Sequence, residues 1–220
     1  PLRVHRSARR GPLKVVSARG SRRAGVLRRI ACRPAGCVGL ILVGLIMMVA
    51  LFASRIAPGD PFAVQNPALL PPSGAHVFGT DNLGRDLFRA VAHGIATSVT
   101  VTLWVTAMSS VIGLAVGTIA GSGGRFVEAV LMRLTDVVQS IPRFFLAVLA
   151  LSLFGRTLEN LILVLGLTSW PLLARVVRAE ALSLRTREFV EASRSYGGSD
   201  ARIIWRHILP HVLPSALVLV

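Results

Sequence analysis

The sequence predicts an all-α, polytopic integral membrane bundle, and three observations lead there. First, hydrophobic residues fill 53% of the 220 positions and mean hydropathy is +0.64, yet the formal net charge is +15. A soluble nucleic-acid binder would account for the charge but not the hydropathy. An inner-membrane protein accounts for both if its arginines collect on one side, so nucleic acid is excluded as the expected partner. Second, residues 35–54 and 95–120 carry no charged side chain. At 1.5 Å rise per residue the shorter run already matches a hydrocarbon core of roughly 30 Å. Third, the arginines segregate. Of the 25 Lys and Arg, eleven lie in 1–34 and seven in 175–214, whereas 55–94 holds only Arg55, Arg85 and Arg89. The positive-inside rule then puts the N-terminus and 175–214 in the cytoplasm and 55–94 outside.

In chain order, 1–34 reads as a basic cytoplasmic tail, a topology determinant in preference to an attachment to anionic lipid. Span one is 35–54, too long an apolar run for a secretory leader. The external segment 55–94 opens on the turn residues Pro58-Gly59-Asp60-Pro61 and ends on Gly79-Thr80-Asp81-Asn82-Leu83-Gly84-Arg85-Asp86. That ending predicts a tight turn into a helix along the outer surface, with Leu87, Phe88 and Val91 facing lipid or protein. Span two is 95–120, where Gly113 and Gly117 form a G-x-x-x-G suited to close helix contact. Residues 121–124 turn the chain.

Span three, 127–154, is polar for a membrane helix. On one unbroken helix Asp136, Gln139 and Arg143 would fall within about 60° of each other, with Arg133 beside them. Such a seam lines a path or a subunit contact, or else marks side chains held at the cytoplasmic interface. Span four, 161–174, is short for a straight crossing, so either its ends snorkel or Pro171 bends it over the interface. The stretch 175–214 is too charged to cross. It predicts one short helix ending near Ser195, a break at Gly197-Gly198, and a second helix with Ser199 as N-cap and Asp200 in its first turn. The final run, 208–220, is too short to span and predicts a chain truncated in its fifth span.

Catalytic chemistry finds no support. The lone lysine, Lys14, follows Leu13, so there is no Gly-Lys-Ser/Thr phosphate loop. His207 and His211 lack the H-E-x-x-H pattern, and Cys32 and Cys37 lack nearby histidines, so no metal is expected and the cysteines predict small apolar packing. No G-x-S-x-G is present either. Energetic work would have to come from another subunit.

Glu191-Ala192-Ser193, then Gly197, then His207-Ile208-Leu209-Pro210 resembles the EAA signature of permease subunits of bacterial ATP-binding-cassette importers. The wider string from Arg187 to Pro214 and the Gly79 to Asp86 motif are similar to the peptide and nickel branch, dipeptide and oligopeptide permease C. The resemblance implies a MetI-like type I permease whose EAA loop, 175–210, docks coupling helices into a cytoplasmic ATPase and drives alternating access. Its implied partners are a second permease, two ATPase subunits, an extracytoplasmic substrate-binding protein and the bilayer. ATP would sit on the partner ATPases, with no cofactor in this chain. Carried over by position, Glu191, Ala192, Ser193, Gly197, Leu209 and Pro210 are coupling residues, Ser193 standing where the signature has its second Ala. Glu191 would reach a base on the partner, or pair internally with Arg187 or Arg194. Gly198 adds a second glycine expected to loosen the turn. A permease for nickel chelates and a scaffold or remnant that no longer transports are the competing expectations.

Overall fold

The computed structural model describes residues 33–219. The tail 1–32, with Cys32, and Val220 lie outside the described residues. Helix α1, Pro34–Ile56, starts on a proline, whose fixed φ and missing N–H suit a first helical turn. Along its length only Ala53 is buried, and its Val38, Ile41 and Leu51 present an apolar surface all round, as a lipid-facing helix requires. Cys37 is exposed on that surface instead of packed inside.

Residues 57–86 form an irregular knob folded on its own backbone. Thr80 Oγ1 donates to the Pro67 carbonyl (2.8 Å) and accepts from Leu70 N–H (2.9 Å). Gly84, at φ +78°, passes so near Asn66 that a Cβ would stand 1.9 Å from its carbonyl oxygen. Any side chain there would force the loop apart. Asp86 ends the knob and caps α2, Leu87–Ser122, by accepting from Arg89 N–H at 3.0 Å. The expected surface helix before span two is therefore the first part of one continuous 36-residue helix. At 1.5 Å per residue it is about 54 Å long and projects beyond the hydrocarbon. His93 Nε2 lies 3.0 Å from the Ala57 carbonyl oxygen, tying α2 to the end of α1.

Span three is broken. Helix α3, Arg125–Ser140, and helix α4, Arg143–Phe154, meet at Ile141-Pro142 with a bend of 74°. Pro142 cannot donate a helical hydrogen bond and pushes Ile141 to an extended conformation (φ −83°, ψ 123°). Span four is longer than expected. Helix α5 runs from Leu158 to Arg185, with Pro171 inside it and fully buried. Pro171 does not end the helix, so Arg175, Arg178 and Arg185 belong to α5 and not to a separate short helix.

Among the described residues three helices, α1, α2 and α5, are long and apolar enough to cross a membrane, and the bent α3–α4 pair makes a fourth crossing if counted together. Helices α2 and α5 run parallel in close contact. Cβ atoms placed on Gly113, Gly117 and Gly121 would meet Leu173 at 3.0 Å, the Ala174 carbonyl oxygen at 2.5 Å and Ala181 Cβ at 2.6 Å. The glycine pair in the sequence is thus part of a three-glycine groove that receives α5.

After α5 come α6, Glu188–Ser195, α7, Asp200–Ile203, a π-helical turn over Ile204–Ile208, and α8, Leu209–Leu219. The wide turn precedes Pro210, whose ring would clash with the carbonyl four residues back in a regular α-helix. Leu209 N–H instead reaches the Ile204 carbonyl, five residues back.

Candidate functional site

The segment between α5 and α8 is built on an apolar floor. Val190 of α6 is 0% exposed and joins Ile203, Ile208, Val212 and Ala216 in one cluster with Leu173, Val177 and Ala181 of α5. With Val190 seated, the neighbouring Glu191 and Ala192 are left on the surface. The turn beyond them is exposed as well: Tyr196 is 92% exposed, and Gly197 lies at φ +78°, a left-handed conformation that favours glycine. Tyr196 N–H donates to the Ala192 carbonyl (3.1 Å) and Gly198 N–H to that of Ser193 (3.0 Å).

Gly198 does not loosen this turn. A Cβ there would stand 2.8 Å from the Ser193 carbonyl oxygen, so the position is tight and excludes a side chain without backbone movement. Ser199 Oγ accepts from Arg202 N–H at 3.4 Å, the N-cap read from the sequence. Trp205, 72% exposed, stands between the exposed Arg202 and Arg206. Leu209 is half-buried and Pro210 exposed at the start of α8. Glu191 makes no ion pair with Arg187 among the described residues. A helix, turn and helix with three acids, Glu188, Glu191 and Asp200, small residues and an aromatic outward is a relief that another protein can grip.

The neck of this segment is fastened. Ser215 Oγ of α8 donates to Glu180 Oε1 of α5 at 2.7 Å. Arg185 Nη1 donates to the Gly123 carbonyl at 2.8 Å, fixing the end of α5 to the α2–α3 turn. Beside the neck, the Phe189 ring stacks on His211 (centroids 5.4 Å apart, 24° between planes), and His211 Nδ1 lies 2.6 Å from the His207 carbonyl oxygen.

Asp136, Gln139 and Arg143 do not form one seam, because the Ile141-Pro142 break sets Arg143 on a different helix. Asp136 pairs instead with Arg175 of α5 at 2.7 Å, while Gln139 and Arg143 are exposed. Two turns earlier on α3, Glu128 pairs with Arg178, whose Nε donates to Oε1 at 2.9 Å. These bridges join residues 39 and 50 positions apart. Their signal in the sequence was two acids in span three and two arginines at the end of span four, with no local spacing to match them.

Residues 113–220 match the family model described as the binding-protein-dependent transport system inner membrane component. Over those residues the chain is similar to that family of transport components. The chain is 33% identical over 183 residues to the dipeptide transport system permease protein DppC of Alkalihalophilus pseudofirmus, covering 82% of this chain and 60% of that one. It is equally 33% identical over 183 residues to the oligopeptide transport system permease protein OppC of Bacillus subtilis, with the same coverage of each. The chain thus spans 60% of the length of these relatives. The matched region starts at Gly113, the first glycine of the α2 groove, and takes in both α3–α5 bridges and the whole α5–α8 segment. Several of the chain's helices are long and apolar enough to cross a membrane, and the family resemblance carried by Glu191, Ala192 and Gly197 falls inside the matched region.

Proposed function

We propose that this chain is the membrane-spanning subunit of an ATP-driven importer, carrying peptides or a chemically related small solute inward by alternating access. The observation that supports it is the α5–α8 segment: Val190, Ile203 and Ile208 are buried while Glu191, Ala192 and Gly197 stay on the surface. On this reading Glu191, Ala192, Ser193, Gly197, Leu209 and Pro210 make the surface that an ATPase subunit grips. Glu191, with no internal partner among the described residues, is available to a base on that subunit. ATP is bound and hydrolysed by the partner and no cofactor is held here. A second, similar permease completes the pore, and a binding protein delivers solute at the knob 57–86. The N-terminus is cytoplasmic and 55–94 external. Peptide is the favoured cargo because the relatives are named for dipeptide and oligopeptide transport.

The test is co-purification of the full-length protein with its ATPase subunits from detergent, comparing the parent with Glu191→Arg and Gly197→Pro. Retention by the parent and loss in both variants, with the permease still inserted, supports docking on this loop. A parent that never retains an ATPase sinks the reading.

A further inference from the structure

The α3–α5 bridges, the α5–α8 latch and the break at Ile141-Pro142 share one geometry, and it concerns how motion of the loop reaches the membrane. Helix α5 is held along its C-terminal half from three sides. Gly117 and Gly121 of α2 receive Val177 and Ala181; Glu128 and Asp136 of α3 pair with Arg178 and Arg175; Ser215 of α8 bonds Glu180. The apolar floor under α6 and α7 includes Val177 and Ala181 of the same helix. Push on the loop, and α5 receives the load.

Helix α3 can follow α5 because two charged pairs on consecutive stretches hold it, one exposed and one half-buried. Like rungs, two separated pairs resist rotation where one would act as a pivot. Helix α4 is held differently. It packs against α5 with Ala147 and Ala150 buried, and at its end Asn160 Nδ2 donates to the Phe154 and Gly155 carbonyls at 2.9 Å each, but no charged pair ties it to α5 among the described residues. Between α3 and α4 the backbone has no helical hydrogen bond across Ile141-Pro142, so this is where relative rotation costs least.

We infer that Glu128 and Asp136 are positioning residues that clamp α3 to α5, so that a load on the loop turns α3 relative to α4 about a hinge at Ile141-Pro142. The inference rests on the importer reading above.

The experiment uses the complete transporter in liposomes, with Cys32 and Cys37 replaced by Ser and pairs of spin labels on exposed positions. Labels at Val130→Cys and Leu149→Cys report α3 against α4, and labels at Val130→Cys and Leu172→Cys report α3 against α5. A label pair at Tyr196→Cys and Leu149→Cys reports the loop. Trapping the ATPases with ATP and vanadate should shift the loop pair and the α3–α4 pair and leave the α3–α5 pair unchanged. Adding Glu128→Ala with Asp136→Ala should abolish the α3–α4 shift while the loop pair still moves. Glu128→Arg with Arg178→Glu, which restores opposite charges, should recover much of it and separates loss of the clamp from misfolding. A loop pair that moves without any α3–α4 shift in the parent overturns the hinge and leaves the importer reading standing. An α3–α4 shift untouched by Glu128→Ala with Asp136→Ala overturns the clamp. A loop pair that never responds to nucleotide overturns both.

Discussion

Gly117 on α2 and Val177 on α5 are in direct contact: a Cβ added to Gly117 would stand 2.6 Å from Val177 Cβ. No rotamer change relieves that overlap, because the same Cβ would also lie 2.5 Å from the Ala174 backbone oxygen. The helix pair that carries the bundle therefore depends on the absence of a side chain.

Gly117→Ala should separate α2 from α5 and destabilise the protein by about 1–3 kcal/mol, the range for overpacking a well-filled site. Gly94→Ala, on the same helix with nothing within 4 Å of its Cβ, is the control and should be neutral or slightly stabilising. Thermal unfolding in detergent reads both. Equal midpoints for the two variants would remove the three-glycine groove as the determinant of this contact.

The knob 57–86 should loosen in acid through Asp86. Its carboxyl is held below the ordinary aspartate value, chiefly by the hydrogen bond with His76 and further by Arg89 N–H, against the opposing effect of burial. A lowered folded value means that the contribution of Asp86 is complete above the ordinary value of 3.8 and is lost as pH falls from there through the lowered one. Asp86→Asn should make the knob more protease-sensitive at pH 7 and flatten the change in sensitivity below about pH 4. An acid profile identical to that of the parent would place the titration elsewhere.

Gly198→Ala should damage the α6–α7 turn despite being a common small substitution, since its Cβ would meet the Ser193 carbonyl oxygen at 2.8 Å. Hydrogen exchange across 188–203 should quicken several-fold. Gly197→Ala, with nothing within 4 Å but a positive φ, should cost only the left-handed penalty of roughly 1–2 kcal/mol. If Gly198→Ala proves the milder of the two, the tight-turn account is wrong.

Val190→Asp should unseat α6 by placing an unpaired charge in a fully buried apolar site, a change costing several kcal/mol. Trypsin added to inside-out vesicles should then cut faster at Arg187 and Arg194. Ala192→Ser, on the exposed side, should leave the cleavage rate as it was. Equal rates in Val190→Asp and the parent would mean that Val190 does not anchor the loop.

The sequence alone determined the all-α membrane class, the span that became α1 and the cap at Ser199, because each is written in local spacing: a charge-free run matched to a bilayer, a hydroxyl before an acid. It marked Gly113 and Gly117 as a contact surface without naming the partner. Tertiary structure decided the rest. Whether Pro171 ends a helix depends on the packing around it, and here it lies buried within α5, whereas Pro142 breaks span three. Asp136 and Glu128 found Arg175 and Arg178 only because α3 folds back antiparallel to α5, a pairing between distant positions that no helical period encodes. The expected seam with Arg143 assumed an unbroken helix. Gly198 looked flexible in one dimension and is tight in three, because a carbonyl five residues back occupies the space that a side chain would need.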